Sequence, residues 1–134
     1  MPLGRARRRP LPCRPTTPFP VSLVPNAAAS LMTTANDFAR FLRHLTQAAA
    51  PEMMRPVRCN ETIEWGLGIG LESHGTSRAA WQWGDNPGFK NFCFADPSTG
   101  TAMVVFTNGD RGARVYERVI RATTGRDRTA FLFT

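Results

Sequence analysis

Few residues in this chain have the types and spacing that covalent catalysis needs. One candidate nucleophile is Ser77, in the run Gly75-Thr-Ser-Arg-Ala79, which is spaced like a nucleophile elbow with Ala in place of the last Gly. An elbow requires a sharp turn from a strand into a helix, because that turn exposes the serine oxygen. A strand is predicted to follow here, so we interpret the run as a polar hairpin loop.

The sequence offers little for metal or phosphate chemistry. Neither His44 nor His74 has a carboxylate or cysteine at ligand spacing, and the three cysteines, at positions 13, 59 and 93, form no C-x-x-C pair. The glycines of Gly66-Leu-Gly-Ile-Gly70 are not spaced as in a phosphate loop, and no helix follows them. We therefore predict no metal site, no disulfide framework and no cofactor.

The most unusual stretch is Trp81-Gln-Trp-Gly-Asp-Asn-Pro-Gly-Phe89. Two tryptophans, an amide and an acid crowd the end of a predicted strand, just before a tight turn. Glycines at positions 84 and 88 suggest backbone that approaches another group closely, because glycine has no Cβ. Two interpretations stay open: a hairpin with core tryptophans, or a binding segment.

A helix is predicted to precede this stretch. Thr34 is a good N-cap, and Asp37 follows at the position of a capping box. Apolar residues then recur at helical spacing, at Ala35, Phe38, Phe41, Leu42 and Leu45. We expect the helix to continue through Ala48–Ala50 and to end at Pro51.

From Trp65 the apolar period changes to two. Trp65–Leu71 is predicted to be one strand with an apolar face and a glycine face. Further strands are predicted at Ala79–Trp83, Phe89–Ala95 and Ala102–Phe106, the last an unbroken apolar run typical of a strand buried on both faces. A helix over Ala113–Thr123 stops at Gly125. Short connections favour antiparallel pairing, so we predict an α+β fold with an antiparallel sheet of three to four strands flanked by helices.

Residues 1–25 differ from the rest in composition. They hold seven prolines and five arginines without an acid, so we predict a basic, proline-rich arm or linker before a domain at 26–134. The formal net charge of +7 lies mostly in this arm. No apolar run is long enough to cross a membrane and no secretory signal follows the basic start, so the default expectation is a cytoplasmic protein.

Four blocks of the sequence stand in a familiar order over about residues 20–125. They are Ala27–Leu42, the glycine-rich Trp65–Gly70, Trp81–Phe89, and the Asp96-Pro turn followed by Ala102–Asp110 with its Thr-Asn-Gly-Asp ending. Together they resemble the C-terminal part of the β-lactamase-related serine hydrolases, which include the penicillin-binding proteins. The resemblance implies a partial β-lactamase/transpeptidase-like fold.

The third block carries the site residues that the resemblance implies. The family's Lys-Thr-Gly or His-x-Gly motif aligns with Gln82-Trp83-Gly84, where Gly84 matches and Gln82 replaces the charged residue. By the same match, the backbone N–H of Asp85 forms half of an oxyanion hole, which stabilises the tetrahedral intermediate of acyl transfer. The implied substrate-binding residues are therefore Gln82, Trp83, Gly84 and Asp85.

Two other motifs of the family are absent. Lys90 is the only lysine and Pro87 stands three residues before it, so no Ser-x-x-Lys exists. Tyr116 is the only tyrosine and is followed by Glu-Arg, so Tyr-x-Asn is missing as well. We assign no catalytic residue and expect a fragment that is inactive alone, whose complete parent hydrolyses an ester, amide or lactam through an acyl-enzyme.

Two alternative functions stay open. Without the family's N-terminal half, one sheet edge and an apolar face would be uncovered, as suits a split enzyme or a pseudo-enzyme that binds a protein partner there. The arginines of the arm suit nucleic-acid binding, but the balanced charge of the remaining residues and the lack of a recognition motif disfavour it. A small acyl compound is the expected substrate of the parent, and no membrane partner is expected.

Overall fold

A computed structural model describes residues 30–47, 50–59 and 63–134. The first helix, α1 (Ala35–Gln47), begins where the sequence predicts. The Thr34 hydroxyl accepts a hydrogen bond from the Asp37 N–H at 3.1 Å and donates one to the Asp37 carboxylate at 2.8 Å. The cap therefore satisfies a free N–H group of the first turn, and Leu42 and Leu45 lie buried on the inner face of the helix.

The helical stretch does not end at Pro51 as predicted. The described residues are helical over Ala35–Gln47 and again over α2 (Ala50–Met53), which contains Pro51. Residues 48 and 49 lie outside the described residues.

The α+β class is confirmed, with more strands than the three to four expected. Six antiparallel strands pair in chain order. They are β1 (Arg58–Cys59), β2 (Ile63–Trp65), β3 (Gly70–His74), β4 (Ser77–Asn86), β5 (Phe89–Asp96) and β6 (Thr101–Thr107). The two extra strands were missed because two or three residues are too few to show a period.

The prediction of a single strand over Trp65–Leu71 is also wrong. β2 ends at Trp65, and the chain turns before β3 starts at Gly70. In this turn the Gly66 N–H donates to the Ile69 carbonyl at 2.8 Å, and Gly68 has a φ of 72°, which glycine adopts without strain. Alternating glycines imitated the period of a strand, although one of them is needed for the turn.

Helices cover both faces of the sheet. On the face named here the α1 face, α1 and α2 pack against Leu71, Ala80 and Cys93 of the sheet and against Ile69 of the β2–β3 turn. On the opposite face, the α3 face, lie α3 (Gly112–Thr124) and a 3₁₀ helix (Thr129–Phe133) that the sequence did not predict. α3 ends as predicted, since Gly125 has a φ of 67° and its N–H donates to the Arg121 carbonyl at 2.9 Å.

Strand β6 does not have the burial that its apolar run predicted. None of its seven residues is fully buried, and Ala102 and Phe106 are exposed. The reason is its position: β6 is the last strand in the sheet order and pairs only with β5 in the described part of the chain.

A column of aromatic rings joins the sheet to the helices of the α3 face. Trp81 is 1% exposed, and its ring centroid lies 5.5 Å from that of Trp65 and 6.1 Å from that of Phe92. Phe92 in turn contacts Tyr116 of α3 at 5.3 Å and Phe131 of the 3₁₀ helix at 5.0 Å. Through this aromatic column, α3 and the 3₁₀ helix pack against β4 and β5.

A buried charge pair holds the 3₁₀ helix at the other end of the α3 face. Glu72 of β3 accepts the Thr129 N–H and lies 3.5 Å from Nη1 of Arg128. The Arg128 guanidinium also lies 3.9 Å from the ring centroid of Phe94. The pair is almost fully buried, so removing one partner would leave an uncompensated charge in the core.

Gly70 allows β3 to lie against the aromatic column, so we predict that Gly70→Ala destabilises the fold. A Cβ at this position would lie 2.7 Å from Cζ2 of Trp81 and overlap the indole, and such overpacking costs about 1–3 kcal/mol. Gly109→Ala is the matched control, since a Cβ there meets nothing within 4 Å and should change stability by less than about 0.5 kcal/mol. Chemical denaturation of both variants checks this, and equal stabilities would contradict the packing described.

Candidate functional site

The four residues predicted to bind substrate lie consecutively on β4. Gln82, Trp83, Gly84 and Asp85 stand opposite Cys93, Phe92, Asn91 and Lys90 of β5 in the antiparallel register. Side chains alternate along a strand, so residues 82 and 84 belong to the α1 face and residues 83 and 85 to the α3 face. The structure therefore brings the four together as a strand segment, with their side chains divided between two faces.

Gln82 is half-buried on the α1 face, across from Cys93. Its side-chain oxygen Oε1 is buried and has no hydrogen-bond partner among the described residues. Buried polar atoms are nearly always paired, so an unpaired amide oxygen at the position of the family's Lys or His is an unusual feature. The amide carries no charge and so cannot act electrostatically as that Lys or His would.

The Trp83 side chain extends the aromatic column. Its ring centroid lies 5.9 Å from that of Trp65 and 5.5 Å from that of Trp81. The side chain is therefore occupied by packing, as in the interpretation of this stretch as a hairpin with core tryptophans.

Gly84 and Asp85 end the segment near solvent. A Cβ at Gly84 would come no closer than 3.7 Å to Asn91 Nδ2, so the described neighbours do not require glycine there. The Asp85 carboxylate forms an ion pair with Lys90 and is exposed. An exposed pair of this kind contributes little to stability, and the carboxylate is accessible from solvent.

The direction of the backbone follows from the two tight hairpins that flank β4. Asn86 and Phe89 are paired across a turn of only two residues, so their backbones exchange both hydrogen bonds. Because this pattern repeats every second residue, the N–H and C=O groups of residues 84 and 82 also point towards β5. The N–H and C=O groups of Trp83 and Asp85 consequently point to the other side of β4. There β3 ends at Gly70, opposite Trp81, so no described strand pairs with residues 82–86. We call this part of β4 the open segment.

The hairpin at the end of the open segment is anchored by residues that sequence reasoning missed. The Gly88 N–H donates to the Asp110 carboxylate at 2.6 Å, and the Asn91 side-chain oxygen accepts the Thr107 N–H at 3.0 Å. Asp110 belongs to the Thr-Asn-Gly-Asp ending that was noted only as part of the family resemblance. These contacts join the hairpin to β6 and to the start of α3.

The other candidate residues lie elsewhere. Ser77 starts β4 after the two-residue turn at 75–76, as the interpretation of a polar hairpin loop predicts. His74 Nε2 lies 3.4 Å from the carboxylate of Glu72, while the Ser98 hydroxyl donates to Asp96 at 2.6 Å. In the part of the chain that the structure describes, no cluster of three or more His, Cys, Asp or Glu side chains could hold a metal ion. No helix in that part is long and apolar enough to cross a membrane.

Cys93, opposite Gln82, is held as a neutral thiol. Burial raises the pKa of the thiol from 9.0 to about 12, and a backbone hydrogen bond at Gln82 offsets a smaller part of this increase. Because the folded pKa lies above the unfolded one, the stability contributed by the protonated thiol is complete below pH 9 and is lost as the pH rises from 9 towards 12. This side of the open segment therefore offers no nucleophilic thiolate near neutral pH.

We predict that Cys93 resists thiol reagents in the folded protein. In a Cys13→Ser/Cys59→Ser background at pH 8, labelling should proceed only as fast as the chain unfolds, because the thiol is 3% exposed. The same sample in denaturant is the control and should take up one equivalent at once. Rapid labelling without denaturant would show that β5 is not packed against α1 as described.

The comparisons with known proteins agree with the resemblance inferred from the sequence blocks. The family model described as Beta-lactamase matches residues 2–125. No curated protein and no solved structure matches the chain. The matched residues include α1, all six strands and α3, with the open segment among them. This chain therefore belongs to the β-lactamase family.

Proposed function

We propose that this chain is the C-terminal part of a serine hydrolase domain of the β-lactamase family, and that the open segment binds the acyl substrate in the complete domain. The observation that carries the proposal is the unpaired edge of β4 at Trp83 and Asp85. An extended substrate can accept and donate backbone hydrogen bonds along such an edge, as a peptide does when it adds a strand to a sheet. Membership of the family supports a small acyl compound as the ligand.

In the complete domain, the N–H of Asp85 serves as one donor of the oxyanion hole. This N–H faces away from β5, so it is available for the oxygen that becomes negative when the acyl carbon is attacked. The hairpin, held by the hydrogen bond from the Gly88 N–H to Asp110, keeps this part of the backbone in place. This chain therefore contributes to the reaction by binding the substrate and orienting its acyl group.

This chain does not supply the serine nucleophile or its general base. The sequence holds no Ser-x-x-Lys and no Tyr-x-Asn. Among the described serines, the Ser98 hydroxyl donates to Asp96 within its own turn, and the Ser73 hydroxyl donates to the Glu64 carboxylate at 3.4 Å. Hydrolysis of an ester, amide or lactam then requires a second portion that supplies the nucleophile.

We predict that the purified chain alone neither turns over a chromogenic acyl ester or cephalosporin nor reacts with a serine-directed phosphonate. The reason is the missing nucleophile and base. A complete serine β-lactamase treated in parallel is the positive control for both assays. Turnover together with labelling of one serine would contradict the proposal, and mass spectrometry of the labelled peptide would identify that serine.

Substrate contact with the open segment is tested separately by NMR. Titration with a cephalosporin should shift the backbone amide signals of Trp83 and Asp85 more than those of Gln82 and Gly84, which face β5. Asp85→Pro removes the N–H without disturbing the pairing with β5 and should reduce the shifts, whereas Asp85→Asn keeps the N–H and should retain them. Shifts confined to other strands would place the ligand elsewhere and contradict the assignment.

A further inference from the structure

The α1 face of the sheet carries no charged side chain at the open segment. Residues paired across neighbouring strands place their side chains on the same face, so the register of β4 and β5 defines the surface there. Its members are all uncharged and at least half-buried or exposed, and they are called here the neutral patch: Gln82, Gly84, Asn86, Phe89 and Asn91. The charges of the same two strand ends, Asp85 and Lys90, belong to the α3 face, where they form an ion pair. A ligand on the neutral patch therefore meets polar groups but no full charge.

Asn91 is the member of the neutral patch whose amide orientation is fixed by its neighbours. Its side-chain oxygen Oδ1 accepts the Thr107 N–H at 3.0 Å. An amide NH₂ group cannot accept this bond, so Oδ1 must be the atom on the Thr107 side and Nδ2 must be on the other. Nδ2 lies on the side of Gly84, where a Cβ would stand 3.7 Å from it. The structure therefore places a hydrogen-bond donor of known direction beside the open segment.

The glycine at position 84 leaves this donor uncovered by β4. A methyl group there would lie against Nδ2 of Asn91 at ordinary contact distance, without a clash, so packing among the described residues does not explain the glycine. What the glycine does is keep a side chain of β4 away from the NH₂ group. Asp85 follows directly, and its N–H points away from β5. Two donors, one from the backbone and one from a side chain, thus border the same short stretch.

Donors without a cation favour an uncharged acceptor. An ester or amide carbonyl keeps its hydrogen bonding when it accepts from such groups, whereas a carboxylate loses hydration that neutral amides do not replace. The only lysine of the chain, Lys90, is paired with Asp85, and their side chains are 19% and 55% exposed. Asp85 is on β4 itself, so its carboxylate lies nearer the open edge than the ammonium does. An anionic ligand at this edge would therefore be repelled.

We propose that the neutral patch is a binding site for an uncharged ester or amide, and that Asn91 determines this specificity by donating a hydrogen bond from Nδ2 to a carbonyl oxygen of the ligand. The inference rests on the proposed function, because it takes the open segment as the place where the acyl substrate binds. It narrows the substrate to compounds without a negative charge beside the bound carbonyl. Asn91 binds the ligand in this account and takes no part in bond breaking.

The charge preference is tested by NMR titration of the full chain with a matched pair of ligands, a cephalosporin and its methyl ester, which differ in one carboxylate charge. The shifts of the Trp83 and Asp85 amides should give a dissociation constant about fivefold lower for the ester. Equal affinities, or tighter binding of the acid, would overturn the inference and leave the proposed function intact. No shift of these amides with either ligand would contradict both.

The role of Asn91 is tested by Asn91→Asp, which retains an oxygen for the Thr107 N–H but loses the NH₂ group. Binding of the methyl ester should weaken about tenfold, since a donor is replaced by a charged acceptor. The Thr107 amide should remain protected from hydrogen exchange, which separates the binding role from a structural one. Gln47→Glu is the matched control: it makes the same change of an amide to a carboxylate beside the turn at 97–100, at the other end of β5, and should bind like the unmodified chain. Unchanged affinity in Asn91→Asp would overturn the assignment.

A second variant tests the same donor without altering Asn91. Gly84→Ala should leave the free energy of unfolding nearly unchanged, because its methyl group clashes with nothing described, yet it should weaken binding of the ester about threefold by covering Nδ2. If Gly84→Ala binds the ester as tightly as the unmodified chain, the ligand does not reach Asn91 past β4, and the proposed contact is wrong.

Discussion

The contact between the Trp81 indole and Gly70 is the constraint on which the rest of this structure depends. A Cβ at Gly70 would overlap the ring, so β3 can lie beside β4 only because this residue is glycine. Trp81 then stacks on Phe92, which holds α3 and the 3₁₀ helix against the sheet. The chain enters β3 at Gly70 through the turn at Gly66–Ile69, so the strand stops there and leaves the next residues of β4 without a neighbour on that side.

Local signals in the sequence were enough to predict much of this fold. The N-cap at Thr34 with its apolar stripe identified α1, and the turn residues after β4 and β5 located both hairpins. Errors arose where a local pattern had two structural meanings. Alternating glycines at 66–70 imitate a strand but include a turn, and the apolar run of β6 indicates burial although this strand lies at the sheet edge. Which of the two structures forms depends on the strands and helices that pack against the stretch, and its own sequence does not show them.

The candidate site, like the fold, was predicted only in part from the sequence. Residues 82–85 were identified from the family resemblance, and the missing Ser-x-x-Lys follows from the position of the single lysine. Sequence allowed a hairpin with core tryptophans, but it did not indicate that the backbone of Trp83 and Asp85 faces away from β5, because that depends on where β3 ends and on the length of the hairpin turn. Nor did it indicate the role of Asp110, which holds the hairpin from 22 residues away.

The open segment of β4 is the feature on which the proposed substrate site depends. Amide hydrogen exchange, measured residue by residue by NMR on the unliganded chain, tests it most directly. The structure predicts that Gln82, Gly84 and Asn86 are protected by β5, whereas Trp83 and Asp85 exchange rapidly. Equal protection of all five amides would contradict the account, because it would show that another strand already occupies the edge proposed for the substrate.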